Sequence, residues 1–179
     1  MLSHSNLESD GEAQNVFYVY QVSGVSMGMS VEVRTHTALH VLKGAVQKVL
    51  GARWTAGVYV EGNKGRLTVK LDRKPTVSDL EQVEKEANGK IDENVVVEEL
   101  KVSRKDADDK WGDAIYDLFP LPASITQLSI LLIPGWNVNA CREEHTKTTG
   151  EIGRIKLSKT RYRPNKQLLE ISFEIEGKS

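Results

Sequence analysis

Two short motifs constrain the fold of this chain most, because their side chains are of the types that bind one metal ion together. The first is HTALH at His36–His40, and the second is CREEH at Cys141–His145. In each motif the outer residues are four apart, a spacing that puts both on one face of a helix. Three imidazoles and one thiolate form a known zinc ligand set, although nickel, copper and Fe(II) suit the same residue types. The sequence therefore predicts a fold that joins both motifs around one zinc ion per chain, bound by His36, His40, Cys141 and His145.

The first motif lies in a segment with two distinct faces. A helix is expected from about Thr35, placed as its cap, to Leu50, with Gly51 ending it. At about 100° per residue, one stripe of this helix is apolar and should face the core. The other stripe should line a cavity, and it consists of His36, His40, Lys43 and Gln47.

The rest of the chain mixes hairpins with helices. The turn signal at Gly62–Gly65 separates two runs rich in β-branched residues, and Pro164-Asn165 marks a second turn. The expected strands are about 53–61, 66–72, 95–102, 126–133, 152–162 and 167–176, and the other expected helical stretches are 77–93 and 103–113. This order predicts an α+β fold, with a mostly antiparallel sheet packed against two main helices.

Composition limits the partners and the location of the protein. The 24 basic and 25 acidic residues leave a net charge of −1, so binding of nucleic acid through overall charge is excluded. The single cysteine allows no intrachain disulfide, and the polar start lacks a signal-peptide pattern, so the cytoplasm is expected. Residues 1–29 are expected to form an N-terminal extension, flexible at 1–15 and strand-like at 16–26, before one domain at 30–179.

Three segments resemble the AlaX proteins, which are free-standing relatives of the editing domain of alanyl-tRNA synthetase. These segments are RTHTALH at Arg34–His40, WNVNACREEH at Trp136–His145 and TKTTGEIG at Thr146–Gly153. The GNKG turn and YDLFPLP at Tyr116–Pro122 resemble the short AlaX subtype, and residues 1–29 are too short for the extra β domain of larger forms. The resemblance implies the fold of the alanyl- and threonyl-tRNA synthetase editing domains, with the same metal ligands. It also implies hydrolysis of the ester that joins a wrong amino acid, chiefly serine, to tRNA(Ala).

The resemblance also implies residues that contact the substrate. They are Thr37 and the segment Thr148, Thr149 and Gly150, whose hydroxyl groups are candidates to recognise serine; a plain cap or strand residue is the alternative for each threonine. Lys43 lies on the face of the two histidines, where it would meet a terminal phosphate or the ester oxygen, unless it is a solvated helix lysine. The sequence leaves open whether the metal activates water or only orients the substrate.

A cluster of basic residues near the C-terminus is the predicted tRNA contact. No acidic residue interrupts the sequence from Arg154 to Lys166. Contacts to the acceptor-stem backbone are expected there, with a solvated strand face as the alternative. The predicted tRNA-binding residues are Lys64, Arg154, Lys156, Lys159, Arg161, Arg163 and Lys166.

Two other functions fit the same motifs. One is a structural zinc module that binds RNA or protein without catalysis. The other is a metal-assisted hydrolase that acts on a small ester or amide. The sequence does not decide between a monomer and a homodimer, nor whether glycine is also removed.

Overall fold

The structure is a computed structural model that describes residues 29–177. The predicted flexible segment 1–15 and strand-like segment 16–26 lie outside the described residues. The first element is helix α1, Val31–Leu50, which carries the first motif. Gly51, with φ of 67°, ends it in the left-handed conformation that glycine adopts without strain, as predicted.

The predicted cap of α1 at Thr35 is wrong. The helix begins one turn earlier because the side chain of Ser30 accepts a hydrogen bond from the Val33 N–H and caps it there. Thr35 is instead fully buried inside α1, and its hydroxyl donates to the carbonyl of Gly62 at 2.7 Å. This bond fastens α1 to the first hairpin turn.

Within residues 29–177, seven strands form two antiparallel sheets rather than one. The strands are β1 Thr55–Glu61, β2 Lys64–Lys70, β3 Glu98–Ser103, β4 Gln127–Ile133, β5 Asn137–Ala140, β6 Arg154–Arg163 and β7 Leu168–Glu176. The larger sheet has the order β1-β2-β7-β6, and the smaller has the order β3-β4-β5. The helices after α1 are α2, Val77–Asp92, and α3, Arg104–Trp111. The predicted α+β class with antiparallel strands is confirmed.

The main core lies between the larger sheet and the helices α1 and α2. The apolar stripe of α1 faces it, as predicted, with Leu39 and Leu42 buried against residues of the same cluster such as Ile171 and Phe173 of β7. A smaller apolar cluster connects α3 to the second sheet. None of the helices in residues 29–177 is long and apolar enough to cross a membrane.

Candidate metal centre

The four predicted ligands converge at one point. Their donor atoms all lie within 4.8 Å of one another. His36 Nε2 lies 3.2 Å from Cys141 Sγ and 3.3 Å from His40 Nε2. Tetrahedral zinc with ordinary bond lengths separates such atoms by about 3.3–3.6 Å. The donor set therefore fits one small cation. The second motif lies in the loop after β5 and not on a helix, so its spacing works through the shape of that loop.

Oxygen atoms from both edges of the smaller sheet orient two of the imidazoles. Asn137 Oδ1, on β5, lies 3.1 Å from His40 Nδ1, and Glu99 Oε1, on β3, lies 2.9 Å from His145 Nδ1. Both oxygens can only accept, so each Nδ1 carries the proton and each Nε2 keeps its lone pair. Nε2 of His145 is buried and has no hydrogen-bond partner among residues 29–177. A nitrogen in this position is suited to bind a metal ion, because the other ring nitrogen donates its proton to a neighbouring oxygen and so fixes the ring.

Burial sets the protonation of the ligands. Burial, with Coulombic repulsion from His145 and Lys43, lowers the pKa of His36 to about 3. The pKa values of His40 and His145 are also lowered, mainly by burial, so all three imidazoles are neutral near pH 7. Burial raises the pKa of the Cys141 thiol to about 11. A bound cation would reverse this for Cys141, because a coordinated thiol loses its proton.

Three of the four ligands, His36, His40 and Cys141, line a cavity of about 150 Å³. Lys43 also lines it, as the polar stripe of α1 predicts. The Lys43 ammonium donates to Asn139 Oδ1 at 2.6 Å and lies 3.3 Å from Asp117 Oδ1. Its side chain is only 10% exposed, so Lys43 is not a solvated helix lysine. Its positive charge is held at the cavity by a carboxylate and an amide oxygen.

The predicted substrate role of Thr37 does not agree with its position. Thr37 is fully buried, and its hydroxyl donates to the Val33 carbonyl and accepts from the Thr146 N–H, both at 2.9 Å. This hydroxyl is not exposed, and its hydrogen bonds are made to other groups of the protein. It is therefore not positioned to form a hydrogen bond with a substrate. It connects α1 to the loop that carries the other two ligands.

The segment 148–150 packs against the end of α2. The Thr149 hydroxyl is buried and donates to the Lys90 carbonyl at 2.8 Å, while the Gly150 N–H donates to Asn94 Oδ1 at 3.1 Å. Thr148 is half-buried and caps a short turn through Glu151. Thr148, Thr149 and Gly150 are absent from the lining of the metal-site cavity, so the structure gives them a role in shaping the loop.

The predicted tRNA-binding residues lie on the outer face of the larger sheet, where acidic residues of β7 alternate with them. Arg154, Lys156 and Arg161 of β6 pair in register with Glu176, Glu174 and Glu170. Lys64 lies 3.9 Å from Glu174, and Arg163 lies 3.0 Å from Glu170. Lys159, at a register shift in β6, and Lys166, in the turn, are exposed. The cluster that is purely basic in sequence is therefore largely balanced in space.

Several residues beside the ligands were not singled out by sequence reasoning. Asn137 and Asn139 alternate along the short strand β5, and this alternation was the available signal. Asp117 lies in the YDLFPLP segment, but nothing local sets it apart. Glu99 is one of many acidic residues, and only the pairing of β3 with β4 brings it to His145.

Comparison with known proteins identifies the relatives of this chain. No family model matches it. The chain is 37% identical over 129 residues to the alanine–tRNA ligase of Methanococcus aeolicus, covering 72% of this chain and 14% of that enzyme. It is 34% identical over 125 residues to that of Methanopyrus kandleri, with 69% and 13% covered, and 36% identical over 126 residues to that of Aeropyrum pernix, with 70% and 14% covered. The chain is therefore a homologue of one segment of alanine–tRNA ligase, which confirms the AlaX-like relationship predicted from its motifs.

Proposed function

We propose that this chain hydrolyses the ester in tRNA(Ala) mischarged with serine, at one zinc ion held by His36, His40, Cys141 and His145. The observation that carries this proposal is the convergence of four donor atoms beside a cavity that is lined by three of the ligands and by Lys43. Homology to a segment of alanine–tRNA ligase supports tRNA(Ala) as the carrier. A cytoplasmic location belongs to the same proposal, since charged tRNA is used there.

Each side chain at the cavity has a distinct task in this proposal. Zinc, when bound, would supply Lewis-acid or substrate-orienting chemistry. Lys43, fixed by Asn139 and Asp117, stabilises negative charge that develops on the ester carbonyl during attack by water. Asp117 and Glu143 also line the cavity, and their carboxylates attract the α-ammonium group of the amino acid. Burial raises the pKa of Glu143, and Asp117 is also the ion-pair partner of Lys43.

A structural zinc module without catalysis is the second candidate. The observation that favours it is that all four donors come from the protein, which is typical of closed structural zinc sites. Such a module has no need of a buried ammonium beside the metal. The cavity and Lys43 therefore favour the hydrolase.

The test compares seryl-tRNA(Ala) with alanyl-tRNA(Ala) as substrates of the zinc-loaded chain. We expect the seryl ester to be cleaved and the alanyl ester to be spared, with a chelator stopping cleavage. Lys43→Gln should lower the rate about 10²-fold, the effect of losing one stabilising donor, while zinc content is unchanged. Lys48→Gln is the matched control, because this lysine is 58% exposed on the same helix.

Two results would contradict the proposal. If the chain binds one zinc and cleaves neither ester, the structural module is the better account. If it cleaves both esters equally, or small serine esters as fast as seryl-tRNA, the specificity is wrong and a general metal-assisted hydrolase replaces it.

A further inference from the structure

A short ladder of hydrogen bonds lies outside both sheets and joins segment 94–97, after α2, to segment 147–150, after the second motif. Two backbone N–H groups donate to carbonyls across the ladder, each at 2.9 Å, and an antiparallel bridge lies between them. The hydrogen-bonded pairs are Thr149 with Val95 and Val97 with Lys147, and the bridge joins Val96 to Thr148. None of the ladder residues is a metal ligand or lines the metal-site cavity. Any effect of the ladder on the site is therefore indirect.

One end of the ladder lies close in sequence to both partners of a hydrogen bond at the metal centre. Lys147 follows His145 by two residues, and Glu99 follows Val97 by two residues. Glu99 Oε1 lies 2.9 Å from His145 Nδ1. Because Val97 and Lys147 are joined, the ladder fixes how far the backbone of β3 lies from that of the second motif. The contact between the carboxylate and the imidazole therefore depends on the ladder.

The hydroxyl of Thr149 fastens the ladder to the last turn of α2. It accepts from the Val95 N–H at 3.0 Å and donates to the Lys90 carbonyl at 2.8 Å. Thr149 is fully buried. Removal of its hydroxyl would leave the N–H and the carbonyl without this partner, which is costly inside a protein. The hydroxyl thus stabilises the ladder without touching the metal site.

Asn94 supports the ladder from the residue that follows the cap of α2. Its φ of 51° is left-handed, a conformation that glycine usually adopts after a helix and asparagine sometimes does. Its Oδ1 accepts from the Gly150 N–H at 3.1 Å. A Cβ at Gly150 would lie 2.2 Å from this oxygen, so glycine there leaves room for the contact. The backbone alone would favour glycine at position 94, and the amide adds a bond to the ladder that glycine lacks.

We propose that this ladder positions His145 against Glu99, with Thr149 and Asn94 as its positioning residues. The ladder keeps the imidazole in the orientation in which Nδ1 meets the carboxylate and Nε2 faces the other ligands. This proposal rests on the metal binding in the proposed function and not on hydrolysis, because it concerns only how firmly one ligand is held. Thr149, which the sequence assigns to the substrate, then acts on the metal site through His145.

The test measures the zinc affinity of the full chain by competition with a chromophoric chelator. Thr149→Val should lower this affinity about 10-fold, the lower end of the effect of losing a group that orients a ligand. Thr149→Ser keeps the hydroxyl and should restore most of the affinity. Asn94→Gly keeps the left-handed backbone without the amide, so it should lower the affinity by a smaller factor. Thr68→Val, on the outer face of β2, is the control and should leave zinc affinity unchanged.

Double variants distinguish positioning of His145 from a general loss of structure. In a Glu99→Ala chain, Thr149→Val should lower zinc affinity much less, because the bond that the ladder positions is already gone. Asn137 orients His40 from the opposite edge of the smaller sheet, so the losses from Thr149→Val and Asn137→Ala should multiply. Urea unfolding checks that each variant is folded. If Thr149→Val does not fold, Asn94→Gly takes its place in both double variants.

The outcomes separate this proposal from the proposed function. If folded Thr149→Val and Asn94→Gly bind zinc as the unaltered chain does, or if their effect is the same with and without Glu99, positioning by the ladder is overturned and the proposed function stands. If the double variants behave as expected but the zinc-loaded chain leaves seryl-tRNA(Ala) intact, positioning by the ladder is supported and the hydrolase proposal fails.

Discussion

Two of the three imidazoles at the metal centre, those of His40 and His145, depend on a neighbour that decides which ring nitrogen faces the other ligands. Asn137 does this for His40 and Glu99 for His145. The ligands themselves could be predicted, because a spacing of four within a short motif is a local signal. Their partners could not, because Asn137 and Glu99 reach the site only through the pairing of β3, β4 and β5.

Removal of the Asn137 amide should weaken metal binding without removing a ligand. Without the oxygen on Nδ1, the His40 ring loses its fixed orientation, so Asn137→Ala should lower zinc affinity about 10- to 100-fold. Competition with a chromophoric chelator measures this affinity. Asn165→Ala, in the exposed turn between β6 and β7, is the control and should bind as the unaltered chain does. Equal affinity in both variants would show that Asn137 does not support the site.

The hydroxyl of Thr37 should matter for stability rather than for choice of amino acid. In Thr37→Val the Thr146 N–H stays buried without its acceptor, which costs about 1–3 kcal/mol of unfolding free energy. Thr68→Val, on the outer face of β2, should change it by less than about 0.5 kcal/mol. Urea unfolding measures both. A Thr37→Val protein of normal stability that loses only serine removal would instead restore the direct hydroxyl contact predicted from the sequence.

Helix α1 packs closely against Trp136 because it has a glycine at position 44. A Cβ at Gly44 would lie 2.2 Å from Trp136 Nε1, so glycine there lets the indole ring lie against the helix. The two faces of α1 could be predicted from its periodicity, since both lie within one segment. The start at Ser30 was missed because a threonine nearer the motif offered the same capping chemistry.

The two helical glycines should therefore respond in opposite ways to alanine. Gly44→Ala forces Trp136 to move and should destabilise the fold by about 1–3 kcal/mol. Gly89→Ala, in α2 with open space at the Cβ position, should stabilise it by about 0.5–1 kcal/mol through lower unfolded-state entropy. Thermal and urea unfolding measure both changes. Stabilisation by Gly44→Ala would show that the packing of Trp136 on α1 is loose.

The outer face of the larger sheet shows why a run of charges in sequence is a weak guide to a charged surface. Strand β6 supplies the basic residues, but β7 places Glu170, Glu174 and Glu176 beside them through cross-strand pairing. Sequence reasoning sees only neighbours along the chain. The division into two sheets and the short strand β5 were missed for the same reason, since pairing partners are distant in sequence.

If this face contacts tRNA, its acidic residues should oppose binding. Glu174 pairs with Lys156 and lies 3.9 Å from Lys64, so Glu174→Gln should release both lysines for phosphate contacts. Affinity for tRNA should rise about two- to fivefold at low salt, the scale of one exposed ion pair. Glu81→Gln, exposed on α2, makes the same change in net charge. An equal gain in both variants would show that only net charge matters and would move the footprint elsewhere.

At the scale of the molecule, residues 29–177 contain two apolar clusters, one between the larger sheet and the helices α1 and α2 and one at the smaller sheet. Helix α1 is capped by Ser30, and every strand of the two sheets pairs with another strand within residues 55–176. The relatives match about 70% of this chain but only about 14% of their own length. The order of helices and strands was enough to predict the fold class, and the two motifs were enough to predict which four side chains would converge.

A chain that begins at Met29 should fold and keep its activity. Met29 is 44% exposed, and the cap of α1 follows it directly. We expect this truncated chain to bind one zinc ion and to deacylate seryl-tRNA(Ala) at the same rate as the full chain. Its free energy of unfolding should lie within about 0.5 kcal/mol of that of the full chain. A chain that begins at Thr35 removes Ser30 and the first turn of α1, so it should lose at least about 1 kcal/mol of unfolding free energy. Unfolding curves, zinc analysis and the deacylation assay distinguish the two. Loss of solubility or of hydrolysis in the Met29 chain would show that residues 1–28 contribute to the folded domain, against the prediction that they form a separate extension.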